Sequence, residues 1–216
     1  MVDALEGIVN RITDDLTRRN HIRDITLQRS RELIRFCANS IRATHRHEYD
    51  EAERLLEEAK QAAVTVVADA QTYADIYNAG YLQDALKELA EAGITLAVVT
   101  GRPLPDPDDW KIEYPAYLNG LGEAMGELRR FALDSMRRDD IAESERMLGI
   151  MDDVYSYLVT IDFPDALTGG LRRTTDMVRG VVERTRGDLT TAVRQEKLQE
   201  ALQAFEDRLT ARVEEG

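Results

Sequence analysis

The chain of 216 residues carries 28 Lys+Arg against 41 Asp+Glu, a formal net charge of −13, with 43% hydrophobic and 6% aromatic residues. That is about one domain's worth of sequence with apolar content enough for a core, which excludes wholesale disorder and low-complexity classes. The single cysteine, Cys37, excludes an internal disulfide; no apolar run reaches a membrane span and no basic-then-apolar leader opens the chain, so a soluble, cytoplasmic protein without a membrane partner is expected.

Apolar residues recur at three- and four-residue spacing from Leu5 to Leu209, which predicts an all-α protein. A first helix is expected from about Asp3 to His45, with Leu16, Leu27, Ile34 and Ile41 on one stripe. A second runs from Tyr49 to about Gly80, and a third covers Leu82–Val99 and closes at Gly101. The loop at 101–111 holds three prolines and several aspartates, the clearest break in the chain. Pro115 suits the first turn of a fourth helix, running to about Met136. A fifth spans about Asp140–Thr160 and a sixth Leu171–Arg186, with Gly187-Asp188 expected to break it before a last segment to Val213. These seven helices form a single domain, 1–216, with no obvious repeat.

Charge is unevenly placed. Of the basic residues 24 are Arg and 4 are Lys, and acid excess with few lysines fits a surface that must stay hydrated in a saline cytoplasm. Between Arg18 and Arg46 stand eight arginines and two acids, a segment of +6 in a chain of −13. Arg31, Arg35, Arg42 and Arg46 fall within an arc of about 60° and form a stripe about 22 Å long. A guanidinium fork suits phosphate oxygens, which makes the stripe a candidate track for single-stranded RNA or DNA. Carboxylates of neighbouring helices could answer the same arginines. His45 and His47, two residues apart, point to different sides of a helix and make a poor metal pair.

Acids gather in two places. Asp69, Thr72 and Asp75 follow one another at spacings of three on the second helix, and Glu123, Glu127 and Asp134 share a face of the fourth. Should two such faces meet, their oxygens could hold Mg²⁺ or Mn²⁺ and position water against a phosphodiester. With 41 acids in the chain such pairs are expected by chance, and solvated faces or arginine partners are the plainer explanation. Gly120-Leu121-Gly122 imitates a dinucleotide loop but lies inside a helix with no preceding strand. The stretch ITLAVVTGR (94–102) could pass for the strand and Thr-Gly-Arg of a haloacid dehalogenase-like hydrolase, although the Asp-x-Asp that such an enzyme needs occurs only after it, at Asp106-Pro107-Asp108.

The segment YPAYLNGLGEAMGELRRFALDSMRRDD (114–140), with the arginine-rich first helix and AQTYADI (70–76), resembles the translin superfamily. Tyr117-Leu118-Asn119-Gly120, then Glu127-Leu128-Arg129-Arg130, then Asp139-Asp140 keep that family's order and spacing, though the turn lacks its Gly; the pair of helices over 31–59 also resembles its opening. The resemblance implies a seven-helix α-α superhelical bundle and a hollow, octamer-like homo-oligomer that binds single-stranded RNA or DNA, with no cofactor needed for binding. Translin-associated factor X-type members also cut RNA with a divalent metal held by a few acids. Their Gln-Glu-Tyr-x-Glu pattern, sought on the second helix, meets Gln71-Thr72-Tyr73-Ala74-Asp75, and the Asp opening Asp-Tyr-Leu-x-Gly stands here as Ala116. On that reading two acids are absent and Asp75 remains, while Asp69, Glu123 and Glu127 lie at helical offsets that could replace them. The first expectation is therefore a nucleic-acid-binding protein using Arg31, Arg35, Arg42 and Arg46, with a catalytic paralogue as its possible partner. The alternative is an Mg²⁺- or Mn²⁺-dependent endoribonuclease with Asp75, Glu123 and Glu127 as catalytic residues and Asp69 as a further metal ligand.

Overall fold

Helical periodicity becomes helix along almost the entire chain. The structure, a computed structural model, describes residues 2–214, with side chains from 4 to 210. Among the described residues there are nine helices and no strand: α1 (Val2–His45), α2 (Tyr49–Ala70), α3 (Ala74–Tyr77), α4 (Gly80–Thr100), α5 (Pro107–Trp110), α6 (Tyr114–Met136), α7 (Ile141–Val159), α8 (Asp165–Thr168) and α9 (Leu171–Glu214). Three of them, α3, α5 and α8, are single turns of 4 residues. None of the described helices is long and apolar enough to cross a membrane.

The contacts divide the chain into two compact units, residues 1–124 with 163–171, and residues 125–162 with 172–216. In the first unit α1 and α2 form an antiparallel pair. Ser40 donates its hydroxyl proton to the Ala52 carbonyl at 2.8 Å, and Arg29 forms an ion pair with Asp69 toward the other end. α2 buries Ala52, Leu55, Ala59, Ala63, Val66 and Ala70, spaced by three and four, as a one-sided helix should. α4 is different: every residue from Leu89 to Val98 has at most 9% of its surface exposed, so this helix runs through the core rather than over it. The run that could have passed for a hydrolase strand is the second half of α4. In an all-helical chain that hydrolase reading has no sheet to stand on.

α4 stops at Gly101, which takes the left-handed conformation (φ 70°) and turns its amide back to the Ala97 and Val98 carbonyls. The proline loop then folds back over the helix. Asp106 caps α5 by accepting from the Asp108 amide at 2.8 Å, and the Trp110 ring lies where a Cβ on Gly93 would be, 2.4 Å away.

In the second unit Asp140 caps α7, accepting from the Glu143 amide at 3.1 Å, and Ser144 donates to the Ala132 carbonyl at 2.9 Å. Met125, Leu128, Met147, Met151, Val178 and Val182 make the core between these helices.

Two boundaries differ from expectation. α2 ends at Ala70 instead of running to Gly80, because continuing it would place Ile76 about 120° around the helix from Ala70, off the buried stripe. The turn at 71–73 sends Ile76 into the core instead, with 5% exposure. Conversely, Gly187-Asp188 does not break α9. Arg129 holds Asp188 at 2.8 Å and Leu189 is buried to 5%, and burying a leucine, at about 1.5–3 kcal/mol, outweighs the roughly 1 kcal/mol that a helical glycine costs.

Candidate functional site

The site starts with Gly120. A Cβ there would stand 2.6 Å from the Lys87 carbonyl oxygen and 2.9 Å from the Ala90 Cβ, so only glycine lets α6 lie backbone to backbone on α4. One helical turn after Gly120 comes Glu123, and the turn of α4 opposite carries Glu88 and Glu91. Their packing brings one carboxylate oxygen from each of Glu88, Glu91 and Glu123 within 4.8 Å of the others. Glu91 is 9% exposed, an unusual depth for an acid.

Three carboxylates so close repel one another, and a cation of α4 stands against one of them. Lys87 Nζ donates to Glu123 Oε1 at 2.8 Å and stands 4.0 Å from Asp84. Burial works to lower the lysine's pKa, but the hydrogen bond to Glu123 and the charges of Glu123, Asp84 and Glu88 override it and hold the ammonium above its ordinary value. Below the cluster lies Cys37 of α1. Burial first, then the negative charge of Glu88 and Glu91, pushes its thiol well above the usual range, so it is a buried apolar group and not a nucleophile.

The donor set suits a hard divalent cation. Oxygens on opposite sides of an octahedral Mg²⁺ stand about 4.2 Å apart, twice the roughly 2.1 Å metal–oxygen distance, so oxygens within 4.8 Å of one another need only a small inward shift. Carboxylates alone, without sulfur or imidazole, favour Mg²⁺ or Mn²⁺ over Zn²⁺.

Of the four acids singled out from sequence, the structure brings Glu123 into this group. Asp69 is paired with Arg29, and Asp75, an exposed residue, with Arg19 at 3.4 Å. Both therefore answer arginines of α1. Glu127 belongs to the second unit, where Arg130 stands 4.0 Å away, and Asp134 lies beside Arg137 at 3.4 Å. Glu88 and Glu91 were missed. The same Glu-x-x-Glu spacing that was sought at 72–75 occurs on α4, at Glu88-Leu89-Ala90-Glu91. Ala116 is buried, and the acid of α6 that faces the cluster is Glu123, two turns later.

The arginine stripe is exposed along its length. Arg35 bonds Glu32 at 3.3 Å, Arg42 bonds Asn39 at 2.8 Å and Arg46 bonds Glu48 at 2.5 Å, all partners close in sequence, which leaves the guanidinium groups at the surface. The Glu48 hydrogen bond raises the pKa of Arg46 further. At 100° per residue Cys37 lies about 150° around α1 from the centre of the stripe. One helix thus presents arginines on one side and backs the acid cluster on the other. His47 stands 2.7 Å from the Tyr49 hydroxyl, and neither it nor His45 belongs to the metal-ligating group.

No family model matches the chain. An uncharacterized protein of Methanocaldococcus jannaschii is 31% identical over 204 residues, spanning 94% of this chain and 90% of that one. AfC3PO, solved in complex with duplex RNA, is 32% identical with a TM-score of 0.81 over 87% of this chain and 97% of its own. Apo-NeC3PO has a TM-score of 0.78 over 85% of this chain and 96% of its own, at 18% identity, a likeness of fold.

Proposed function

The chain belongs to the translin superfamily, and we propose that within it this protein is a metal-dependent endoribonuclease that holds Mg²⁺ or Mn²⁺ on Glu88, Glu91 and Glu123. The observation that carries this reading is the meeting of three carboxylates at the α4–α6 crossing. A divalent ion bound there lowers the pKa of a coordinated water and offsets the charge that builds on a phosphodiester during attack. The chain's own part is placement. Gly120 fixes the distance between the two helices, Lys87 orients the Glu123 carboxylate, and the core around α4 keeps Glu91 away from bulk water.

RNA is the proposed substrate, supported by the complex of AfC3PO with duplex RNA. Arg31, Arg35, Arg42 and Arg46 are proposed to track phosphates of a single strand, with no cofactor required for that binding. A homo-oligomer of the octamer-like, hollow kind is the assembly that this reading implies. Since three acids come together within one chain, it needs no separate catalytic paralogue.

The test is cleavage of labelled single-stranded and duplex RNA with Mn²⁺ or with EDTA, for the wild type and for E88Q, E91Q and E123Q. Mn²⁺-dependent cutting lost in all three variants is the expected result. Cutting that persists in E123Q would overturn the site, and binding without cutting in the wild type would leave a scaffold that works through the arginines.

A further inference from the structure

The loop that follows α4 closes over a cavity of about 500 Å³, within the roughly 300–1,000 Å³ of small-molecule pockets. It lies between α2, α4 and α5, all in the first unit, and shares no residue with the acid cluster. The loop is held at three points. Arg102 at its start pairs with Glu53 of α2, the Tyr117 hydroxyl donates to the Pro105 carbonyl at 2.8 Å, and Trp110 at its end rests against Gly93, where any side chain would strike the ring. The cavity is therefore preformed. Leu56, Leu96, Ala97, Pro105 and Trp110 line it with apolar surface.

The charged groups around the cavity do not cancel. Two cations line it and each already has an acid: Arg102 has Glu53, and Lys60 has Glu57 at 2.9 Å, its ammonium also standing 5.3 Å from the centre of the Trp110 ring. Asp106 and Asp109 are left over. Asp106 accepts from the Asp108 amide, which leaves its charge in place, and Asp109 is exposed, with no ion-pair partner among the described residues. The geometry points to a binding site for a small aliphatic polyamine, its methylenes against the apolar lining and its ammonium groups on Asp106 and Asp109, three residues apart. Lys60 shows the same chemistry in miniature, an aliphatic chain ending in an ammonium on the Trp110 ring. A phosphate or a nucleotide would meet an excess of carboxylates here, whereas a chain of net charge −13 draws polyvalent cations toward it.

Trp110 is the only tryptophan of the chain, so its fluorescence reports on this cavity. The experiment titrates spermidine into the full-length protein in neutral buffer at fixed ionic strength, following that fluorescence with calorimetry alongside. A saturable change is expected for the wild type, weakened about fivefold in D109N and by more than about tenfold in D106N/D109N, where the asparagine still caps α5. D153N, which removes an exposed acid of α7 outside the cavity, should bind as the wild type does. All three positions are exposed, so each variant is expected to fold. Hexamethylenediamine should bind several-fold tighter than trimethylenediamine at equal charge, because its longer chain covers more of the apolar lining. Equal affinity of the two diamines, or the same weakening in D153N as in D109N, would reduce the effect to diffuse counterion attraction and overturn the site. Inorganic phosphate bound in preference to spermidine would reverse the charge assignment, and no change in fluorescence or heat would remove the proposal outright.

Discussion

The arginine face of α1 and the acid cluster between α4 and α6 are both concentrations of like charge, yet they are built in opposite ways. The arginines lie together because one helix repeats every 3.6 residues; all stay at the surface, and Arg35, Arg42 and Arg46 take partners from their own neighbourhood in sequence. The acids lie together because two helices touch, and they come from positions 88, 91 and 123. A charge array written into one helix is tolerant and solvated. One assembled across a helix crossing depends on every residue that sets the crossing distance.

That contrast orders the expected effects of mutation. E123Q should lower Mn²⁺-dependent RNA cutting by about 10³-fold with little change in RNA affinity, read as single-turnover rates at saturating RNA. Replacing Arg31, Arg35, Arg42 and Arg46 by alanine should do the reverse, weakening single-stranded RNA binding about 10²-fold at low salt and making the salt dependence of log affinity shallower by up to about 3, while cutting at saturating RNA persists. If the quadruple variant lost cutting in step with E123Q, the two faces would not be separate. Gly120→Ala forces a methyl against a main-chain oxygen that cannot rotate away, so it should cost about 1–3 kcal/mol of stability in thermal melts and depress cutting with no acid removed.

The smallest effect concerns a carboxylate with a neutral partner. Tyr77 donates to Glu113 at 2.7 Å, and burial, then that hydrogen bond, pushes the phenol from 10.0 up to about 12. Between those pH values the folded chain holds a proton that the unfolded chain releases, so stability is complete below pH 10 and declines as pH rises toward about 12. Tyr77→Phe should flatten that decline in alkaline melts.

Most of the helical fold was legible because apolar spacing and caps are local signals: Asp140 and Gly101 end helices as their chemistry requires. What was not legible depended on tertiary contacts. The turn at 71–73 exists to bury Ile76, and α9 runs through Gly187-Asp188 because a distant arginine, Arg129, holds the aspartate. The site followed the same rule. Glu123 was found because it lies on a helix whose face shows a pattern, whereas Glu88 and Glu91 were hidden in a segment whose apolar run drew attention to the core. One signal for them was present: Glu91, flanked by Ala90, Ala92 and Gly93, is an acid inside an otherwise apolar run.

That placement has an evolutionary side. Acids seated on an enclosed helix carry a desolvation cost that their surroundings must offset. In a lineage released from the demand for what the acids do, the core of α4 would be among the places free to drift toward neutral residues.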